Sequence, residues 1–261
     1  MAAAEHAVVE DARPGARLDQ RREVHAELKL VADRVAPLAL ARERTLPVHA
    51  ALQGLFPEGG LRRGSVVAVD GVGATSLALA VAAGPSASGS WVAVVGEPDL
   101  GLAAAHETGV ALERMLVIDP SGGRVGTVLA ALVGAVDVVI VGSAARVRPA
   151  EMRRLSARMR ERGSVIIRIG AGDQDGIDVG LRVVDHEWTG LGVGHGVLRA
   201  RRVRVQAAGR GASAKPRAAA LLLPGPAGEP VELGERADGG DEAPAEGSDD
   251  DRGTDPRRLV S

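Results

Sequence analysis

The chain has 261 residues, 45% of them hydrophobic, with one Phe, two Trp, no Tyr and no Cys. This composition excludes disulfides, zinc–thiolate sites and a cysteine nucleophile, and it leaves too few aromatic side chains for a base-stacking platform. The net charge is −2, and Lys29 and Lys215 are the only lysines among 32 basic residues. Neither has the glycine-rich surroundings that a lysine of a phosphate-binding loop needs.

Targeting signals are not visible in the sequence. Residues 1–10 lack an apolar h-region, and no run of 18 uncharged apolar residues occurs, so we predict neither a signal peptide nor a membrane span. With the lack of cysteine, this favours a cytoplasmic protein.

Charge is unevenly distributed along the chain. Residues 229–261 contain 11 acidic and 4 basic residues, whereas residues 199–217 contain seven basic residues and no acidic one. This pattern favours a surface for a polyanion with a competing acidic tail. A solvated strand face followed by a disordered end explains the charges equally well.

The first predicted elements are helical. Between residues 15 and 44, apolar residues recur at spacings of three and four, which predicts an N-terminal helical segment over residues 1–44. We expect this segment to mediate association, including self-association, because its Val/Leu stripe needs a cover. Residues 47–64 are rich in Gly and Pro and are predicted to be mostly loop.

Short apolar runs then alternate with amphipathic stretches. The predicted strands are Ser65–Val69, Trp91–Val95, Met115–Ile118, Asp137–Val141 and Ser164–Ile169, and the predicted helices are Thr75–Ala83, Leu100–Gly109, Val125–Val133 and Pro149–Arg162. Such alternation predicts an α/β fold with a doubly wound, mostly parallel sheet. A C-terminal antiparallel hairpin follows, predicted from Val179–Thr189 and Val197–Gln206. The core is therefore predicted over residues 45–206, and residues 207–261 as a disordered, basic-then-acidic tail.

A glycine turn follows the first buried strand. Residues 64–77 read GSVVAVDGVGATSL, in which a strand runs into Gly71 and Gly73 and then into a helix start. A phosphate-binding loop belongs at such a place, since helix N-terminal amides attract anions. As a dinucleotide fingerprint the turn is weak, because Ser76 stands where the third glycine should be. As a P-loop it fails, because one residue separates the glycines and Ala74 replaces the lysine.

The second half of a nucleotide site is also incomplete. The apolar strand that ends at Val141 is followed by Gly142, at the position of the expected magnesium-associated aspartate. Losing two charge-assisted contacts of about 1.5–3 kcal/mol each lowers nucleotide affinity by about 10²–10⁴-fold. We therefore predict a protein without ATPase activity, without a cofactor and without a metal.

The sequence resembles bacterial RecA recombinases over roughly residues 45–205. Residues 137–145 resemble the RecA strand that ends in Asp-Ser, and residues 96–100 resemble the segment around its catalytic glutamate. The resemblance places Glu97 on that glutamate. The shortened loop, residues 187–190, residues 194–196 and residues 199–204 together resemble RecA-like accessory proteins of actinobacterial inducible-mutagenesis cassettes, the ImuA-prime type.

This resemblance implies a degenerate RecA-like core, a role in damage-induced, SOS-type translesion synthesis, and recruitment to the nucleoid. Its implied partners are an inactive Y-family-like polymerase homologue and an error-prone replicative-type polymerase, with RecA or DNA as further partners. The degenerate nucleotide site would comprise Gly71, Gly73, Ala74, Thr75, Ser76, Glu97 and Gly142. The alternatives are a RecA-type ATPase paralogue of recombination and an SOS-type cell-division inhibitor with the same fold.

The remaining candidates are charged or aromatic residues. Arg199, Arg201, Arg202 and Arg204 are predicted on an edge-like strand, where they would contact DNA or an acidic partner. The arginines at 153, 154, 158, 160 and 162 give one helix a basic face that suits a partner or plain solvent exposure. The histidines at 186 and 195 are interpreted as turn or packing residues, the aspartates at 173, 175 and 178 as a solvated loop, and Trp188 as a core or interface anchor.

Overall fold

The computed structural model describes residues 44–120, 123–170, 176–192 and 195–234 of the chain. The strands of these residues are β1 (Thr45–Pro47), β2 (Gly60–Arg62), β3 (Val66–Asp70), β4 (Val92–Val95), β5 (Met115–Ile118), β6 (Val138–Val141), β7 (Val165–Ile169), β8 (Val179–Gly192), β9 (His195–Gly209), β10 (Arg217–Leu222) and β11 (Val231–Leu233). The α-helices are α1 (Ala74–Ala87), α2 (Leu102–Glu107), α3 (Val125–Leu132) and α4 (Pro149–Arg162). Short 3₁₀ helices span Ala50–Leu55, Leu112–Arg114 and Gly211–Ala214.

Nine of these strands form one sheet in the order β11–β10–β9–β8–β3–β7–β6–β4–β5. Across the sheet, the neighbouring strands β8–β3, β3–β7, β7–β6, β6–β4 and β4–β5 are parallel. The pairs β8–β9, β9–β10 and β10–β11 are antiparallel. The predicted doubly wound sheet with a C-terminal antiparallel hairpin is therefore confirmed. The small antiparallel pair β1–β2 stands apart from this sheet.

Helix α1 lies on one face of the sheet and is buried along most of its length. On one side it packs against strands β3 and β7, and on the other it faces an outer layer made of β1 and the first 3₁₀ helix. Because it is covered on both sides, it needs apolar residues all round. Its alanine-rich sequence permits this close packing. At Gly84 a Cβ atom would lie 2.7 Å from the Pro47 carbonyl oxygen.

Helices α3 and α4 cover the opposite face. Helix α4 has the bounds that the sequence predicts, and it buries Met152, Leu155 and Met159 at spacings of three and four. The second core is built from these side chains and from the β-branched residues of the central strands, as expected for parallel strands buried on both faces. The arginine side of α4 faces solvent.

The C-terminal prediction is wrong over residues 207–234. Strand β9 continues to Gly209, β10 pairs with it, and β11 pairs with β10. Leu221 and Leu223 are fully buried, so this segment contributes to the core. The run of residues 218–223 is too short and too rich in alanine to be recognised as a strand by itself. It becomes stable because β9 offers it a partner edge.

Other predicted segments differ from the structure or lie beyond it. Residues 47–64, predicted as mostly loop, contain a 3₁₀ helix and β2 as well as turns. Residues 1–43 of the predicted helical segment and the acidic residues 235–261 lie outside the described ranges. No helix within the described ranges is long and apolar enough to cross a membrane.

Candidate functional site

The glycine turn joins β3 to α1 at the carboxyl edge of the parallel strands. Gly71 and Gly73 have φ values of 96° and 76°, in the left-handed region that favours glycine. Gly73 is the N-cap of α1, and no side chain caps this end. The amides of Thr75 and Ser76 donate to no acceptor in the part of the chain that the structure describes. The turn is therefore an uncapped helix N-terminus, which attracts negative charge.

Glu97 follows β4 and is held by two neighbouring segments. The Thr75 hydroxyl donates to Glu97 Oε1 at 3.1 Å, and the backbone N–H of Ser143 donates to Oε2 at 2.9 Å. The Ser143 hydroxyl lies 3.4 Å from the same oxygen. The fold thus brings the predicted residues Thr75, Glu97 and Gly142 together at the ends of β3, β4 and β6. In this arrangement the Glu97 carboxylate ties α1 to the loop after β6.

Gly142 leaves no room for a side chain. A Cβ atom built there would lie 2.5 Å from Glu97 Oε2 and would come still closer to the Gly96 carbonyl oxygen. A magnesium-bound nucleotide in this fold class requires a P-loop lysine and a strand-end aspartate. Here Ala74 has no charge and the Glu97 carboxylate occupies the aspartate position. The residues present do not fit a magnesium-bound nucleotide.

Arg201 lies at the glycine turn, a position that the sequence analysis does not predict. Strand β8 pairs with β3 as far as Asp70 and then continues with β9 beyond the carboxyl edge of the parallel strands. A Cβ atom on Gly73 would lie 2.5 Å from Arg201 Cζ and closer still to Nη1 and Nη2. The guanidinium therefore packs directly against Gly73.

Arg201 is only 4% exposed. Its Nε donates to the Leu223 carbonyl oxygen at 2.8 Å, and the centroid of the Trp188 ring lies 5.6 Å from Cζ. Buried Nη2 has no hydrogen-bond acceptor among the described residues. Burial also lowers the pKa of this guanidinium from its ordinary value. The missed signal is the alternation of β9, which turns Arg201 inward with Val203 and Val205.

The predicted basic contact strand is therefore partly wrong. Strand β9 is no edge, because β8 and β10 flank it. Arg201 is buried rather than available to a partner. Arg202 and Arg204 are exposed, but they lie opposite Glu187 and Asp185 of β8, which offset their charge. The side chain of Arg199 lies outside the described part of the structure.

The exposed face of α4 is the stronger basic surface. Five arginines of this helix are exposed, and none of them takes part in a salt bridge within the described residues: Arg153, Arg154, Arg158, Arg160 and Arg162. The acidic residues of α4 are Glu151 and Glu161, and Glu151 is paired with Arg148. We refer to the five arginines as the α4 basic face.

The other predicted candidates either support the fold, lie exposed on a strand, or fall outside the residues that the structure describes. Asp178 accepts the backbone N–H of Val66 at 2.9 Å and so supports β3. His186 is exposed on β8, and Trp188 is partly exposed above Arg201. Asp173, Asp175 and the side chain of His195 fall outside the description. Within the described ranges, no three His, Asp or Glu side chains are placed to hold a metal ion.

The chain is similar to known proteins in both sequence and structure. The model of the family described as MT3502 N-terminal domain matches residues 54–174. The Mycobacterium tuberculosis protein described as uncharacterized protein Rv3395c is 38% identical over 145 residues, which cover 53% of this chain and 71% of that protein.

The flagellar accessory protein FlaH of Methanocaldococcus jannaschii has a similar solved structure. It matches with a TM-score of 0.52 and 13% sequence identity, over 73% of this chain and 98% of FlaH. At this identity the likeness concerns the fold alone, which is RecA-like.

Proposed function

The chain belongs to the family of the MT3502 N-terminal domain, and from this premise we propose that it is a non-catalytic adaptor built on a RecA-like fold. One observation carries the proposal. The Glu97 carboxylate, bonded to Thr75 and Ser143, fills the space next to Gly142 where a nucleotide-binding relative would need an aspartate. In this proposal, the glutamate that the resemblance places at the catalytic position serves to hold α1 to the loop after β6.

The chemistry of hydrolysis supports the same reading. Phosphoryl transfer depends on fixed positive charge around the phosphates, and each lost contact raises the barrier as well as weakening binding. Ala74 supplies no charge. The guanidinium of Arg201 lies at the turn, but it packs on Gly73 itself. A glutamate that is bonded to two neighbours is also poorly placed to activate water.

The proposed setting is damage-induced, error-prone translesion synthesis. Its support is the resemblance of the shortened loop and of residues 187–190, 194–196 and 199–204 to accessory proteins of inducible-mutagenesis cassettes. The proposed partners are an inactive Y-family-like polymerase homologue and an error-prone replicative-type polymerase. We also propose that DNA, or another polyanion, binds the α4 basic face. These roles need a rigid scaffold and no turnover.

We expect no ATP hydrolysis above background, with or without single-stranded DNA. Phosphate release would be measured on the purified chain, with Glu97→Gln as the control for any contaminating activity. The wild-type protein and the variant should give the same background signal. Turnover within about tenfold of a true RecA recombinase, abolished by Glu97→Gln, would establish an ATPase and refute the adaptor proposal.

We expect the full chain to form a stable complex with a Y-family-like polymerase homologue of the same organism, and deletion of residues 1–44 to weaken that complex or the self-association of the chain. Molar mass after size-exclusion chromatography would be measured for each protein alone and for the mixture. A deletion of residues 1–43 keeps Arg44 and β1 and should have the same effect, which would show that the loss does not come from damage to the described fold. The role of this segment is refuted if both deletions leave mass and partner binding unchanged.

A further inference from the structure

We infer that Arg201 and the N-terminus of α1 together form a site for one oxyanion, such as a phosphate or a carboxylate group. The site uses neither a lysine nor a metal ion. It extends beyond the adaptor proposal, because its existence does not depend on which polymerase the protein binds. Its two halves come from the glycine turn after β3 and from the β8–β9 hairpin.

Arg201 is a buried cation that has no counterion among the residues that the structure describes. The residue is only 4% exposed, and its Nη2 has no acceptor within the described residues. The nearby carboxylate at the end of β3, Asp70, is paired with Arg182 at 3.2 Å. The Trp188 ring and the Leu223 carbonyl oxygen offset only part of the charge. Leaving a buried guanidinium unpaired is unfavourable, so this group favours a bound anion.

The helix N-terminus supplies the matching donors. The amides of Thr75 and Ser76 find no acceptor in the described part of the chain, and the first turn of α1 contains no acidic residue. The partial positive charge of the helix end adds to that of the guanidinium. Two like charges at one place repel each other unless an anion lies between them.

The surroundings limit the size of the ligand. Gly73 lets the guanidinium approach the turn, since a Cβ atom would collide with it. The carboxylate of Glu97, bonded to the Thr75 hydroxyl, repels further negative charge. These features favour a single oxyanion over a polyphosphate. Trp188, which is 39% exposed, lies over the guanidinium and borders the site.

Binding at this site can be measured through the fluorescence of Trp188. In a Trp91→Phe background it is the only tryptophan, and its ring lies over the guanidinium that would bind the anion. Inorganic phosphate would be titrated at constant ionic strength against sodium chloride. We expect a saturable change in Trp188 fluorescence, with the dissociation constant raised about 10- to 100-fold in Arg201→Met. Arg204→Met, on the exposed face of β9, is the matched control and should bind as the parent does.

A parallel titration with sodium acetate distinguishes the source of the oxyanion. Saturation by phosphate alone assigns the site to a phosphate group, saturation by acetate alone assigns it to a carboxylate, and saturation by both shows that it binds either group. Phosphate should also raise the melting temperature of the parent protein, because a ligand that binds only the folded state stabilises it. If Arg201→Met does not fold, the inference is tested by the melting shift of the parent protein and by the phosphate titration of the Arg201→Lys variant. A response no larger than that to chloride, or one that persists unchanged without the guanidinium, overturns the inference.

Discussion

Replacing Gly142 with aspartate is expected to lower the free energy of unfolding by about 3–5 kcal/mol, although it restores the residue that a nucleotide site would need. The new Cβ atom would collide with the Gly96 carbonyl oxygen and lie 2.5 Å from Glu97 Oε2. Its carboxylate would then face another carboxylate inside a buried position. The cost arises from contacts alone, since Gly142 is not among the glycines with a left-handed φ.

Urea denaturation and thermal melting would measure this loss. At about 2–4 °C per kcal/mol for a chain of this size, the melting temperature should fall by roughly 6–20 °C. Gly54→Asp is the matched control, because a Cβ atom at Gly54 meets nothing within 4 Å, and it should change stability by less than about 0.5 kcal/mol. Gly142→Ala should lie between the two. A stable Gly142→Asp protein that binds magnesium nucleotide would contradict this prediction. It would mean that the Glu97 carboxylate can give up its hydrogen bonds to Thr75 and Ser143 and move away from residue 142.

The part of the fold that the sequence predicts is the part built from local patterns. Strand β3, the glycine turn and α1 form a continuous run in which an apolar strand, two glycines and an alanine-rich helix each have a clear local preference. The same is true of α4, whose bounds are predicted to the residue. For the degenerate nucleotide site, the sequence also brings the strand ends after β3, β4 and β6 to one edge, because all three strands are parallel.

Arg201 could not be placed from the sequence because its position depends on distant pairings. It reaches Gly73 only because β8 runs past the end of β3 and because β9 keeps its register after the irregularity between Val183 and Asp185. A one-residue slip would turn Arg201 outward and Arg202 inward. The reading of β9 as an edge failed for a related reason. Its partner β10 is an alanine-rich run whose stability comes from the sheet it joins.

The α4 basic face is the surface on which we expect the largest effect on polyanion binding. Arg154, Arg158 and Arg162 follow one another at intervals of four residues, so they lie along one side of the helix. This stripe begins opposite the buried residues of α4 and ends at Arg162, which borders them and is exposed. Strand β9 offers a weaker surface, because Glu187 and Asp185 lie opposite Arg202 and Arg204. The two arginine groups therefore make a matched pair for charge reversal.

Changing Arg154, Arg158 and Arg162 to Glu together is expected to weaken binding of a short DNA duplex by about 100-fold at low salt. Fluorescence anisotropy over a series of salt concentrations would measure this. Because about three phosphate contacts are lost, the slope of log K against log salt should become shallower by roughly 3. Arg202→Glu with Arg204→Glu should cost less than about tenfold, since the facing carboxylates already offset these charges.

The acidic C-terminus should oppose the same binding. Residues 235–261 contain nine acidic and four basic residues, so ending the chain at Gly234 removes a net charge of −5 and leaves β11 in place. An earlier end, at Gly228, would delete β11 and disturb the packing of Gly228 on Glu107. We expect the chain that ends at Gly234 to bind duplex DNA more tightly than the full chain, with the difference shrinking as salt rises. If the α4 triple variant binds DNA like the parent, the α4 basic face is not the binding surface. If the two chains have equal affinity at low and at high salt, the tail does not compete for that surface.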